Sequence, residues 1–403
     1  MLSLQDAQTA ILGRISAASA VEKVPLRNAL GRFVAEDLRA RVDNPAFTNS
    51  SMDGYAFALA DLIAADFVLP LQGESRCGGV PSTLAAGTTM RIFTGAPMPD
   101  GADTVVIQED IKFKDGNVVF PHSVQPGQNL RRRAEDFRAG EVLYTPGRRL
   151  SVYDLALLSS AGVAEVPVYV RARALVVATG DELVAPGEPL NPGQIYESNG
   201  LATLKQLEAL GVDAVDGGTV RDDPAELRAL LKSSGEYDFV ITSGGASVGD
   251  HDLVKQVFSE IGEISFWKAK IKPGKPLAFG RVGARSHFFA LPGNPVSSLV
   301  TFKLFIEPAV LAWNHNAYPG MPELAAVAGS GFKRHPGRME FLRARLKVDA
   351  TGRIIATALR GQGSHQLGTL RETNGLIKIA EDSAGFEPGD EVIAIPLSLD
   401  FAR

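Results

Sequence analysis

Between residues 173 and 313, short apolar runs alternate with helix-patterned stretches, and this rhythm limits the fold more than any other feature. The apolar runs are 174–179, 212–215, 239–241, 264–267, 277–279 and 288–291. Helix patterns occupy 201–210, a stretch beginning at Pro224, 253–261 and 296–313. Strands without polar alternation are covered on both faces, and strands joined through helices form parallel sheets. The region therefore predicts an α/β domain on a parallel sheet. Gly211 ends the first helix and Pro224 opens the second. In such sheets ligands collect beyond the carboxyl ends of the strands.

The third apolar run leads into Thr242-Ser243-Gly244-Gly245-Ala246-Ser247-Val248-Gly249-Asp250-His251-Asp252 and then a helix. Glycines let the backbone gather several N–H groups at one point, and a helix N-terminus adds positive potential. The loop reads equally as a phosphate cradle or as a glycine-tidied surface turn. Asp250 and Asp252 repel an anion unless a cation lies between. Glu182 follows the first strand and Asp222 the second, so Glu182, Asp222 and Asp252 could share a hard cation such as Mg²⁺, which takes one or two carboxylates plus phosphate oxygens and water. Plainer readings stand beside this one: a loop acid for Glu182, and helix N-caps for Asp252 and for Asp222 or Asp223. Lys272 and Lys275, stiffened by Pro273 and Pro276, suit a small oxyanion or are two solvated lysines. All these loops except the lysine one follow a strand.

The 403 residues allow two to four domains; 45% are hydrophobic and 22% charged, ordinary for a soluble protein. A net charge of −5 implies no general attraction to nucleic acid or anionic membrane. The single cysteine, Cys77, excludes an internal disulfide, fits a reducing compartment and has no nucleophile signature. Residues 2–19 lack a secretory pattern, and no run is expected to reach membrane-spanning length. Residues 4–15 have helical spacing, and Val152 to Ser160 reads as a short helix ended near Gly162. Residues 41–140 hold short apolar runs between Gly/Pro/Asp clusters, a β-rich pattern. The adjacent Arg131, Arg132 and Arg133 are a solvated face or a prop for an acidic partner. After residue 319 only strand candidates remain, predicting a small β-barrel or sandwich. Within it Phe341, Arg343 and Arg345 project from one strand face, and the 361–365 loop offers Ser364 or is a plain hairpin. There is no Walker sequence, dinucleotide fingerprint, histidine pair with metal-ligand spacing or arguable Ser/His/Asp triad.

Several stretches, in order, resemble the MoeA family of molybdopterin molybdenumtransferases, which includes the gephyrin E domain. They are Ser51-Met52-Asp53-Gly54-Tyr55-Ala56, Arg91-Ile92-Phe93-Thr94-Gly95-Ala96-Pro97, Glu135-Asp136, Thr179-Gly180-Asp181-Glu182 and Arg221-Asp222-Asp223. Thr242-Ser243-Gly244-Gly245, Ile271-Lys272-Pro273-Gly274-Lys275-Pro276 and Leu291-Pro292-Gly293-Asn294-Pro295 complete the series. The resemblance implies a multidomain α/β plus β chain forming an elongated homodimer. Its parts would be a linking domain and dimer core (21–40 and 141–168), a β-rich inserted domain (41–140), a doubly wound molybdopterin-binding domain (1–20 and 169–318) and a C-terminal β-barrel (319–403). It implies Mg²⁺-dependent insertion of molybdate into adenylylated molybdopterin with release of AMP, in a cleft shared by two subunits. The implied catalytic acids are Asp53, Asp136, Glu182, Asp222 and Asp252, with Glu182, Asp222 and Asp252 on the metal. Thr94, Thr179, Ser243, Gly244, Gly245, Ser247, Pro292 and Asn294 match cofactor-binding positions. Lys272, Lys275, Pro276, Arg343 and Ser364 match oxyanion positions. A cytoplasmic setting follows, with a molybdopterin-adenylyltransferase and downstream cofactor-processing proteins as partners, and no nucleic acid or membrane.

Ala134 departs from the expected Gly-Glu-Asp motif, and Asp250 replaces a common glutamate. An adenylyltransferase of the same pathway would share the glycine loop but not the flanking domains. A non-catalytic scaffold would need no acids. Tungstate and molybdate, nearly equal in size and shape, are not separable by sequence.

Overall fold

A computed structural model describes residues 1–244, 253–316 and 322–397. The chain divides into two compact units, one of Met1–Glu22, Gly31–Phe33 and Tyr169–Arg403, the other of Lys23–Leu30 and Val34–Val168.

The first unit contains a six-stranded sheet: β1 (Arg173–Thr179), β2 (Asp213–Val220), β3 (Phe239–Ser243), β4 (Gly262–Lys268), β5 (Pro276–Val282) and β6 (Ser286–Leu291), in the order β2-β1-β3-β6-β5-β4. β2, β1, β3 and β6 are parallel to their neighbours. β5 runs antiparallel to both β6 and β4, so the sheet is mixed where the sequence predicts a wholly parallel one. The reason is local: three residues join β5 to β6, far too few for a crossover. The runs in β1, β3, β5 and β6 are buried as expected, with β3 and β6 wholly enclosed. The run at 212–215 in edge strand β2 is largely exposed and that at 264–266 in edge strand β4 only partly buried, because an edge strand has a neighbour on one side alone. The Phe258 and Phe288 rings stack at 4.2 Å beneath one face.

Helices α1 (Asn199–Ala209), α2 (Pro224–Ser233), α3 (Leu253–Ile261) and α4 (Pro295–Thr301) belong to this unit. The helical pattern of residues 296–313 is not one regular helix. After α4 it widens into a π turn at Phe302–Ile306 and resumes as α5 (Glu307–Trp313). Pro308 has no N–H to donate to the preceding turn, and there the ladder changes pitch. The whole run Pro295–Trp313 does have the length and hydropathy of a membrane span, contrary to expectation, but most of it is buried inside the protein as a core helix. The helix predicted at 4–15 ends at Leu12, closed by Gly13, and buries Leu4, Ala7 and Ile11.

Strands β7 (Leu324–Ala328), β8 (Met339–Val348), β9 (Ile354–Ala358), β10 (Gly375–Ile379) and β11 (Glu391–Pro396) pair in the order β8-β9-β7-β11-β10, and β10 returns to β8. The result is a closed five-stranded barrel. Leu342, Ala344 and Leu346 fill its interior, so Phe341, Arg343 and Arg345 point outward as the alternation predicts. The two-residue strand Ile271–Lys272 pairs with the start of β8 and ties the lysine loop to the barrel.

The second unit has a six-stranded sheet over residues 54–119 and a separate core that includes Val24, Leu38, Phe137, Leu158 and Val166. Gly54 lies so close to its neighbour that a Cβ would stand 2.1 Å from the Val106 carbonyl oxygen. The helix Val152–Ser160 has the predicted bounds and opens with a capping box on Ser151 and Asp154.

Candidate functional site

Because β1, β2, β3 and β6 are parallel, their carboxyl ends share one rim, where Thr179, Val220, Ser243 and Leu291 end. β5 is antiparallel, so its first residue, Pro276, lies on that rim too, and Lys272–Lys275 arrive with it. β4 ends at Lys268, paired with Pro276, so the lysine loop does follow a strand that ends on the rim, contrary to the sequence reading.

A cavity of 1120 Å³ opens at the rim. Its lining includes Thr179, Glu182, Asp222, Ser243, Gly244, Pro276, Pro292 and Asn294, all singled out in the sequence. The rim is built by close backbone packing. Gly244 has φ +91°, and a Cβ there would stand 2.4 Å from the Thr179 carbonyl oxygen. Asn199 donates from Nδ2 to the Gly293 carbonyl at 2.8 Å and anchors the 292–295 turn. Burial, and then the charges of Asp181 and Glu182, raise the Asp222 carboxyl above its ordinary value. Its neighbour Asp223 is the N-cap of α2, accepting from the Ala225 N–H at 2.7 Å, so of the two adjacent acids the cap is Asp223.

A second cavity of 450 Å³ shares Pro276, Asn294 and Ser297 with the first and is lined by Lys272, Lys275 and Ser364. The lysines differ. Lys272 Nζ lies 2.8 Å from the buried Glu340, whereas no described carboxylate lies within ion-pair distance of Lys275. Gly274 between them has φ +105°, and a Cβ there would stand 2.5 Å from Thr301 Cγ2. Arg343 lines neither cavity. It is 2% exposed and its Nη2 donates to the Gly361 and Gly363 carbonyls, bracing the loop that presents Ser364.

Asp53, Thr94 and Asp136 belong to the second unit. Asp53 Oδ1 accepts from the Thr94 N–H at 2.7 Å and from Thr94 Oγ1 at 2.9 Å; these bonds hold its carboxyl below the ordinary range. Asp136 Oδ2 accepts from Asn44 Nδ2 at 2.8 Å. Ala134, two residues earlier, is left-handed at φ +59°, the conformation that a glycine there would serve. Cys77 is exposed and its thiol donates to the Thr94 carbonyl. Gly245, Ser247, Asp250 and Asp252 lie outside the described residues. Among the described residues, no three His, Cys, Asp or Glu side chains form a ready metal cage.

Sequence reasoning missed Asn199, Ser297, Arg338 and Gln362, which line or anchor these cavities. Arg338 carried no signal, because its place depends on the remote pairing of Ile271 with Met339.

A doubly wound sheet with an acidic rim beside a lysine turn, joined to a β-barrel, defines a ligand-binding α/β protein of the molybdopterin-binding class, and the second of three matching family models, the "probable molybdopterin binding domain", covers residues 175–312. The MoeA N-terminal region (domain I and II) matches residues 2–162 and the MoeA C-terminal region (domain IV) residues 325–397. The chain belongs to the MoeA family. It is 36% identical over 402 residues to the molybdopterin molybdenumtransferase of Haemophilus influenzae, covering 99% of each chain. It is 35% identical over 404 residues to molybdopterin molybdenumtransferase 2 of Mycobacterium tuberculosis, covering 97% of this chain and 98% of the other. The crystal structure of the molybdopterin biosynthesis MoeA protein from Pyrococcus horikoshii superposes with a TM-score of 0.84 at 28% identity, over 98% of this chain and 100% of that one.

Proposed function

We propose that this chain is a molybdopterin molybdenumtransferase that inserts molybdate into adenylylated molybdopterin with Mg²⁺ and releases AMP. The observation that carries the reading is that two acids and the lysine turn share one rim and line adjoining cavities.

The donor set suits Mg²⁺. Asp222 is charge-crowded by Asp181 and Glu182, a repulsion that a bound cation relieves, and Mg²⁺ needs only one or two protein carboxylates beside phosphate oxygens. Glu182 and Asp222 would hold it, and Asp252 joins them by resemblance. The ion supplies neutralisation of the phosphoanhydride charge. The chain's own groups do the remainder. Lys275 attracts molybdate, a tetrahedral dianion, and Ser364 donates to one of its oxygens. Lys272 is partly committed to Glu340 and sets the turn. Thr179, Ser243 and Gly244 form the floor on which the pterin and nucleotide phosphates rest, beneath Pro292 and Asn294. The chain works as a homodimer in this reading, and Asp53, Thr94 and Asp136 of one copy complete the cleft of the other.

The test is direct. Purified protein given Mg²⁺, molybdate and adenylylated molybdopterin should release AMP and yield molybdenum-loaded cofactor. No AMP above the protein-free control overturns the proposal.

A further inference from the structure

The rim is not the only edge of the α/β sheet that gathers charge. β1, β3 and β6 begin at the opposite edge, and β5 ends there because it is antiparallel. A cavity of 380 Å³ opens at this amino-end edge. Arg171 reaches it from just before β1, Asp238 from the residue before β3, Arg285 from the turn before β6 and Arg281 from the end of β5. The remaining wall includes the 16–20 segment. That segment is tied down where the Ser16 N–H donates to His287 Nε2 at 3.2 Å and the Ala18 N–H to the Trp313 carbonyl at 2.8 Å.

The charges of this lining do not balance. Asp238 is its one carboxylate, against three guanidiniums. Both Asp238 oxygens are taken: Oδ1 accepts from Arg285 Nε and Nη2 at 2.8 and 2.6 Å, and Oδ2 from the Arg173 N–H at 2.9 Å. Arg171 lies 4.0 Å from Asp213, the outer limit of an ion pair, and both side chains are partly exposed. Among the described residues no carboxylate lies within ion-pair distance of Arg281, whose Nη2 donates to the neutral Ala284 carbonyl. His287 adds no charge near neutrality. Its burial, and then the charge of Arg281 opposite it on β5, push the imidazole down to about 4. The lining thus carries two positive charges in excess, with Arg171 and Arg281 half-buried. A concave site of one sign with low-dielectric walls focuses the field and draws in anions.

We infer that this cavity binds a small phosphate monoester, its phosphate held by Arg171, Arg281 and Arg285. A dianion matches the excess charge, where a carboxylate would leave half of it unmet. Guanidinium forks suit phosphate because their paired N–H groups meet its oxygens in parallel. Ser16 and Ser19, both exposed in the same wall, bring hydroxyl donors. The space favours an ester over the bare ion. Its volume lies within the range for small-molecule sites, about 300–1,000 Å³, and the walls beyond the charges are apolar, from Ala17, Val170, Ala284 and Trp313. The site shares no residue with the rim cavities, so binding here does not rest on the functional reading above.

Glycerol 3-phosphate is the probe, titrated calorimetrically into the full chain at fixed ionic strength, with inorganic phosphate as the free-ion arm. The expected result is saturable binding of the ester with Kd below about 1 mM, at least about threefold tighter than that of the free ion. Arg281→Gln should weaken it at least about tenfold. Ser19→Asp, which sets a negative charge in the cavity from an exposed position, should do the same, and it replaces Arg281→Gln if that variant has a collapsed melting profile. Lys275→Ala, which removes a cation of the rim, should leave the affinity within about twofold of wild type. No saturation by about 10 mM, tighter binding of the free ion, or undiminished binding to a folded Arg281→Gln or Ser19→Asp chain would each overturn the inference. So would loss of binding in Lys275→Ala, which would move the phosphate to the rim.

Discussion

Glu182 is defined by what its neighbour lacks. Gly180 has φ +151°, and a Cβ there would stand 2.5 Å from Glu182 Oε2, so the glycine makes room for the carboxylate. If that carboxylate holds the metal on the anhydride, Glu182→Ala should lower kcat at least about a hundredfold, with an unchanged melting curve. Wild-type turnover in the folded variant removes the residue from the chemistry. Ala134 gives a test without activity. A left-handed alanine costs about 1–2 kcal/mol, and glycine removes most of that cost while adding chain entropy to the unfolded state. Ala134→Gly should therefore stabilise by about 0.5–1 kcal/mol and raise Tm by about 1–4 °C. An unchanged or lower Tm in differential scanning calorimetry refutes the strain argument. The two residues also show what sequence can convey. The departure at Ala134 is visible against the family motif, but the left-handed backbone behind it is not. Glu182 is visible as an acid after a strand, but the crowding of Asp222 depends on contacts across the rim.

Caps separate residues that build elements from residues that elements merely present. Asp223 caps α2 with its side chain, while Asn294, the N-cap residue of α4, makes no side-chain cap bond and lines both rim cavities. Asp223→Ala should cost about 1 kcal/mol of stability and little turnover; Asn294→Ala should cost less than about 0.5 kcal/mol yet weaken ligand binding. Chemical denaturation beside ligand titration distinguishes the two, and equal effects on stability would contradict the assignment. The helix Val152–Ser160 was legible to its ends because Ser151 and the apolar spacing are local signals. The mixed sheet was not, since an apolar run has no strand direction. Only the three-residue connection between β5 and β6 reveals it. That helix's first turn also carries a pH dependence. The buried Asp154 meets Arg148 at 2.8 Å and the Ser151 N–H at 2.7 Å, and its carboxyl sits far below the ordinary range. Burial opposes this, but the hydrogen bonds to Tyr144, Arg148 and Ser151 outweigh it. A depressed carboxyl stabilises fully above its unfolded value and loses that contribution as pH falls below it. Asp154→Asn should cost about 2 kcal/mol near neutrality, with the gap closing below about pH 4. A pH-independent gap in urea melts would show that packing, not charge, holds that turn.

At the scale of the whole molecule the question is how acids of two separate units would serve the one proposed reaction. Asp53 lies in the second unit and Glu182 in the first. Asp53 is already oriented by Thr94. The proposed homodimer resolves this by giving each cleft its Glu182 from one copy and its Asp53 from the other, an arrangement with a countable consequence. Asp53→Ala and Glu182→Ala chains are each expected to be inactive alone. Co-expressed with different affinity tags, they form a mixed dimer in which one cleft carries both substitutions and the other carries neither. Random pairing makes about half of the dimers mixed, each with one intact cleft of two, so about a quarter of wild-type activity should return. Mixed dimers purified through both tags should reach about half. If both acids of a cleft came from one chain, every cleft would lack one of them, and no activity would return at any mixing ratio.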